Sequence, residues 1–255
     1  MKRTKRIFSI LLALALGLAL LIPAAAGSAF ELRANEKPWW IMPWWLRLGY
    51  FANSLKVSGF LEDSVLIYHD GKLVYEKYNR NHGPEVPHLI QSITKTVLAV
   101  LTGAAIHDGL IEGLDQKVVD FYPDAVIAGQ ESKLDMTIGH LLAMTSGLPM
   151  SQDCFKAEDA GLAAFESPQW YAPGAVFQYT AGANAQCLVG VIERAAGMNL
   201  LEYAHETLFG PLGITSVTWE TTDNGSPIGG FGMAIERAVA VVEAFQALDS
   251  EYTIA

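Results

Sequence analysis

Basic residues are scarce in this chain. Seventeen lysines and arginines stand against 27 aspartates and glutamates, a net charge of −10. Part of that small basic complement is used at the N-terminus, in Lys2, Arg3, Lys5 and Arg6. A nucleic-acid partner would ask for a basic stripe, so none is expected. Cysteine is rarer still, with only Cys154 and Cys187. An exported protein is able to pair them, but Cys187 falls in an apolar helical stretch that suits a small buried hydrophobe, and both are expected unpaired. The six histidines are scattered, with no His-Glu-x-x-His, so no metal site is expected. Two further absences narrow the chemistry. No Gly-x-Ser-x-Gly elbow is present, and no Gly-x-x-x-x-Gly-Lys-Ser/Thr phosphate loop. Internal repeats and low-complexity linkers are also missing. At 255 residues the chain suits one large domain or two small ones with a sizeable core.

What the chain does have begins with an export signature. The basic residues 2–6 precede an apolar stretch from Ile7 to Ile22, and Pro23-Ala-Ala-Ala26-Gly-Ser-Ala29 supplies small residues for signal peptidase. Export to the periplasm or the extracellular side is the favoured expectation. The competing one is an uncleaved anchor holding the protein at the membrane through residues 7–26, because the run is close to spanning length. No cysteine lies near the cleavage region for lipid attachment. Four tryptophans follow within Pro38–Trp45, either a cluster for a bilayer interface or a flap of aromatics on the domain.

The most informative motif is Ser92-Ile-Thr-Lys95 at the head of an apolar helical run. Residues three apart share a helix face, so Ser92 and Lys95 sit side by side. A serine hydroxyl is a poor nucleophile until a neighbour takes its proton. Lysine takes a proton only in its neutral form, which burial and the positive end of a helix dipole favour. An isolated match also describes an N-cap serine followed by an exposed lysine. Here the run from Ile93 to Ile106 is apolar nearly all round, which predicts a central buried helix and a Lys95 kept from bulk water.

The rest of the chain reads as an α/β plan. Val65–Tyr68 and Leu73–Tyr78 flank His69-Asp70-Gly71-Lys72 as a β-hairpin with a tight Asp-Gly turn. Gly109 closes the Ser92 helix. Helices are predicted over 137–144, 179–197 and 202–208, a strand over 215–220, and a generic helix over the tail 234–255.

Several segments occur in an order that resembles one family. They are Gln91-Ser-Ile-Thr-Lys-Thr96, Gly109–Val118, His140-Leu-Leu-Ala-Met-Thr-Ser-Gly-Leu148, Pro173-Gly-Ala-Val-Phe-Gln-Tyr179, Ile192–Gly197 and Pro211-Leu-Gly-Ile214. The series is similar to the serine β-lactamase-like superfamily, in the group of class C β-lactamases, related esterases and 6-aminohexanoate-dimer hydrolases. The resemblance implies an antiparallel sheet flanked by helices, with a mainly helical subdomain. It also implies an acyl-enzyme mechanism without a cofactor. Ser92 would be the acylated nucleophile, Lys95 its hydrogen-bonded partner and Tyr179 the proton relay, with the Ser92 N–H as half of an oxyanion hole. The substrate would be a small ester or amide.

Two departures stand out. The family's Tyr-x-Asn asparagine is replaced by Ala181, with Asn184 nearby but out of register, which fits esterases and dimer hydrolases better than true β-lactamases. The resemblance also stops near Met233, before the family's Lys/His-x-Gly strand and closing strands, which implies a truncated member. The chain is therefore divided into a signal or anchor at 1–29, a Trp-rich segment at 30–60, a partial hydrolase domain at 61–233 and a non-family tail at 234–255. The alternative to an active hydrolase is a non-catalytic remnant or membrane-held binding protein.

Overall fold

The computed structural model describes residues 43, 47, 50, 51, 63–69, 72–79 and 81–235. Residues 1–29, expected to be a signal or an anchor, nearly all of the Trp-rich segment and residues 236–255 of the tail lie outside the described residues. Among the described residues no helix is long and apolar enough to cross a membrane. The chain divides into two compact units, Met1–His82 and Gly83–Ala255.

The first unit holds the expected hairpin. β1 (Ser64–His69) and β2 (Lys72–Tyr78) pair antiparallel, with His69 opposite Lys72, so the connection is the two residues Asp70-Gly71. In sequence terms Asp-Gly is a favoured pair for a short hairpin connection. The register slips between Ile67 and Tyr68, where Tyr75 and Leu73 are the successive partners. One extra β2 residue there makes a bulge.

The second unit is built around helices. After β3 (His88–Leu89) and a 3₁₀ turn (Gln91–Ile93) comes α1 (Thr94–His107). Then follow 3₁₀ turns at Val118–Phe121 and Glu131–Asp135, and α2 (Ile138–Leu142). A 3₁₀ turn at Asp153–Lys156 leads to α3 (Ala160–Glu166), α4 (Ala183–Ala196) and α5 (Leu200–Ala204), which runs into a π-helical turn at His205–Phe209. β4 (Val217–Trp219) and β5 (Met233–Ile235) complete a three-stranded antiparallel sheet of order β3-β5-β4.

The central buried helix is α4, not α1. All ten residues Ala183–Ile192 are buried, and small residues let neighbours come close. A Cβ on Gly190 would lie 2.7 Å from Gly161 Cα of α3, so α3 and α4 cross nearly backbone to backbone. Tyr122 donates to the Cys187 carbonyl at 2.8 Å across the same junction. The expectation that α1 is buried all round is corrected. Its inward face is Thr94, Val97, Leu98, Leu101, Thr102 and Ala105, whereas Thr96, Ala99 and Gly103 are exposed. The exposed face carries small residues instead of charges, which is why the sequence looked uniformly apolar.

Three further expectations change. The helix predicted from Tyr179 begins at Ala183, because Gly182 is held against the Ser151 backbone, where a Cβ would come within 2.8 Å of the Ser151 carbonyl carbon. The strand predicted over 215–220 is shorter, Val217–Trp219. Ala234 and Ile235, read as the start of a helix, are strand residues paired on both sides with β3 and β4. Two-sided ladder bonding outweighs the helical preference of an Ala-rich tail. Cys154 and Cys187 are free, as expected, and both are buried.

Candidate active site

Ser92 stands where strand becomes helix. β3 is tied to β5 by Ile90 N–H, which donates to the Met233 carbonyl at 2.9 Å. Gln91 then takes φ +49, a left-handed conformation unusual for a residue with a side chain. That turn puts Ser92 in the 3₁₀ segment ahead of α1 and leaves its side chain exposed. One turn on, Lys95 is half-buried, not the fully buried lysine expected, because the exposed face of α1 passes beside it.

The sequence spacing brings these two together. Lys95 Nζ donates to Ser92 Oγ at 3.1 Å and to the Gly230 carbonyl at 2.5 Å. It also lies 5.0 Å from the ring centroid of Tyr179. Tyr179 comes from the irregular chain before α4, with about half of its surface exposed (51%). Its hydrogen bond with Ser92 holds the phenol below its ordinary value near 10. The hydrogen bond with Lys95 and that side chain's charge act in the same direction, against partial desolvation. Hydrogen bonds to the charged form and a nearby opposite charge both favour phenolate. A serine hydroxyl, a lysine amine and an acidified phenol therefore meet at one point.

Two positions near the site have other duties. Asn184 faces away, donating to the Leu141 carbonyl at 2.8 Å and accepting from Ser146 Oγ at 2.6 Å while fully enclosed. Ala181 packs its backbone on Gly230, where a Cβ would overlap the Ala181 carbonyl oxygen and sit 2.8 Å from its carbonyl carbon and Cα. Gly230 is the site residue that sequence reasoning missed. The signal was available in the glycine-rich Gly229-Gly-Phe-Gly232, since repeated glycines mark close backbone approach.

Residues 50–252 match the Beta-lactamase family model. The chain belongs to the Beta-lactamase family. The matched span reaches past residue 233. Among curated proteins, monacolin J acid methylbutanoyltransferase of Aspergillus terreus is 29% identical over 162 residues, which is 53% of this chain and 38% of that protein. The match thus spans well under half of the transferase. Among solved structures, EstCE1, a hydrolase with promiscuous acyltransferase activity, superposes with a TM-score of 0.65 at 18% identity, covering 82% of this chain and 74% of EstCE1. FmtA from Staphylococcus aureus superposes with a TM-score of 0.65 at 16% identity, covering 79% and 65%. At these identities the superpositions establish the fold, a β-lactamase-like arrangement of helices and small antiparallel sheets. Family membership and architecture therefore agree.

Proposed function

We propose that this chain is an exported serine hydrolase that cleaves a small ester or amide through an acyl-enzyme on Ser92. The observation that carries the reading is the convergence of Lys95 Nζ, 3.1 Å from Ser92 Oγ, with the Tyr179 ring on the same ammonium. In the proposed cycle Ser92 Oγ attacks the acyl carbonyl carbon and its proton passes to the Tyr179 phenolate. The bond to the leaving group breaks as Tyr179 hands that proton to the departing alcohol or amine. Water then attacks the acyl-Ser92 ester, its proton returns through Tyr179 to Ser92, and the acid is released. An alcohol acceptor in place of water turns the same cycle into acyl transfer, the activity in the names of the transferase and EstCE1. Lys95 holds Ser92 and stabilises the phenolate, and the Ser92 N–H is one donor to the developing oxyanion. No cofactor enters the cycle.

Ala181 in the asparagine position favours an ester over a β-lactam, because an amide-binding side chain is absent there. The acidic balance of the chain, at −10, favours a small-molecule substrate over nucleic acid. Residues 1–29 are proposed to direct export, with retention at the membrane through residues 7–26 where the leader stays uncleaved.

The test is a fluorophosphonate probe. Intact-mass analysis is expected to show one adduct, mapped to Ser92 and lost in Ser92→Ala. Well-folded protein that takes up no probe would sink the proposal. Faster turnover of a chromogenic cephalosporin than of a short-chain nitrophenyl ester would overturn the substrate preference.

A further inference from the structure

Tyr179, which lies against Ser92, follows a segment with an unusual support. From Met144 to Gly147, four successive carbonyls all accept from the stretch that leads to Tyr179. Gln178 N–H donates to the Met144 carbonyl at 2.9 Å, and Gly174 N–H to Thr145 at 2.8 Å. Gln169 Nε2 donates to Ser146 at 2.8 Å, and Trp170 N–H to Gly147 at 2.8 Å. Four neighbouring carbonyls do not face one way in a regular strand, where they alternate. Here Met144 adopts φ +55 and Gly147 φ +77, and these two left-handed residues turn the chain so that it can happen. Glycine takes that conformation freely, but methionine does so at a cost.

The turn is also fixed from behind. Asn184 of α4 bonds the Leu141 carbonyl and Ser146 Oγ, one on each side of Met144. Met144 N–H closes on the Leu141 carbonyl at 3.1 Å. The buried helix therefore holds the turn, the turn holds residues 169–178, and the next residue is Tyr179. No other regular element lies between Gln178 and Tyr179 to absorb a shift.

We propose that Met144 is a positioning residue for Tyr179, its left-handed backbone aiming the carbonyl cradle that sets the phenol against Ser92. The inference rests on the reading of Tyr179 as partner of Ser92. Placement matters here because a misplacement of about 1 Å costs on the order of 100-fold in rate.

The experiment compares Met144→Val, Met144→Asn, Gln169→Leu and Tyr179→Phe, reading the pH dependence of fluorophosphonate labelling at Ser92 beside thermal melting. Valine resists the left-handed conformation, whereas asparagine accepts it. Met144→Val is expected to slow labelling at least about tenfold and to move the acid limb of the profile up towards the range of an ordinary tyrosine. Met144→Asn is expected to keep the wild-type rate and limb. Gln169→Leu, which removes one rung, is expected to move the limb the same way by less. A purely structural role would lower the melting temperature of Met144→Val without moving the limb, and that result overturns the proposal. Equal profiles for the valine and asparagine variants overturn it as well. Where Met144→Val does not fold, Gln169→Leu decides, and an unmoved limb refutes it. If Tyr179→Phe labels at the wild-type rate, the site reading itself fails and takes this inference with it. If Tyr179→Phe slows labelling while the Met144 and Gln169 variants do not, only the positioning role fails.

Discussion

Replacing Gly230 by alanine tests whether the Lys95 anchor matters to the chemistry. The added methyl would overlap the Ala181 carbonyl oxygen and sit 2.8 Å from that residue's carbonyl carbon and Cα. Both partners are backbone, so neither can swing aside as a side chain would. Gly230 must retreat by on the order of 1 Å in a close-packed region, carrying its carbonyl with it. That carbonyl now accepts from Lys95 Nζ at 2.5 Å, and a shift of this size opens the bond. A hydrogen bond to a charged group contributes about 1.5–3 kcal/mol. If Lys95 needs that anchor to hold Ser92, labelling slows roughly 10- to 150-fold. Stability falls by about 1–3 kcal/mol from overpacking. The assay is the rate of fluorophosphonate adduct formation by intact mass, with thermal melting on the same samples. Gly103→Ala on the exposed face of α1 is the control, since a Cβ there meets nothing within 4 Å, and its rate should not change. A folded Gly230→Ala protein that labels at the wild-type rate would show that the Gly230 carbonyl is structural only.

Three other outcomes follow from the fold. Lys133 is fully buried, donating to the Phe165 and Ser167 carbonyls at 2.6 and 2.7 Å, and burial lowers its amine to about 8 from an ordinary 10.5. Between those values the unfolded chain binds the extra proton, so stability rises with pH by up to about 1.4 kcal/mol per unit. Urea midpoints at pH 8 and pH 10 should therefore diverge between wild type and Lys133→Met, and parallel midpoints would contradict the burial argument. Gly190→Ala drives a methyl into Gly161 Cα and the Tyr122 hydroxyl. It should cost about 1–3 kcal/mol in chemical unfolding, and a neutral result would show that α3 and α4 separate easily. Burial holds the Cys154 and Cys187 thiols up at about 11 and about 12. Ellman's reagent at pH 8 should find neither in native protein and both after unfolding, and rapid native reaction would refute their burial.

The legible parts of this protein were the local ones. Asp70-Gly71 announced a two-residue hairpin loop, and β1 and β2 pair around it. Ser92 and Lys95 are one helical turn apart, a spacing that already brings them within reach of their 3.1 Å contact. Tyr179 was located through the order of motifs that resembles the family, not through any local pattern. What stayed hidden depends on contacts far apart in sequence. Alternation and helical period cannot say that Gly230, 135 positions from Lys95, supplies the second acceptor. Nor do they reveal that α4 is the enclosed helix and α1 a half-exposed one, because Ala99 and Gly103 look apolar in either setting. The strand at Met233–Ile235 was misread for the same reason. Its residues favour helix alone, and the pairing that overrides this comes from β3 and β4.

The short segment 228–235 explains why the site holds together on so small a sheet. Trp219 Nε1 donates to the Ile228 carbonyl at 2.9 Å from a buried position. Ile228 N–H reaches the Glu220 carbonyl, and Glu220 N–H reaches the Gly232 carbonyl, each at 2.9 Å. This side of the segment is thereby stapled to β4 and the residue after it. The opposite side presents the Met233 carbonyl to Ile90 N–H and the Gly230 carbonyl to Lys95. Ile90 lies two residues before Ser92 and Lys95 three after it, so the segment grips the Ser92 turn from both sides. The left-handed Gln91 between them then has little freedom to relax, since one flank is tied to β5 at Met233 and the other to the Gly230 carbonyl ahead of it. Strain of this kind persists only where the surroundings over-determine it, and here the β5 ladder and the Lys95 bond together do so.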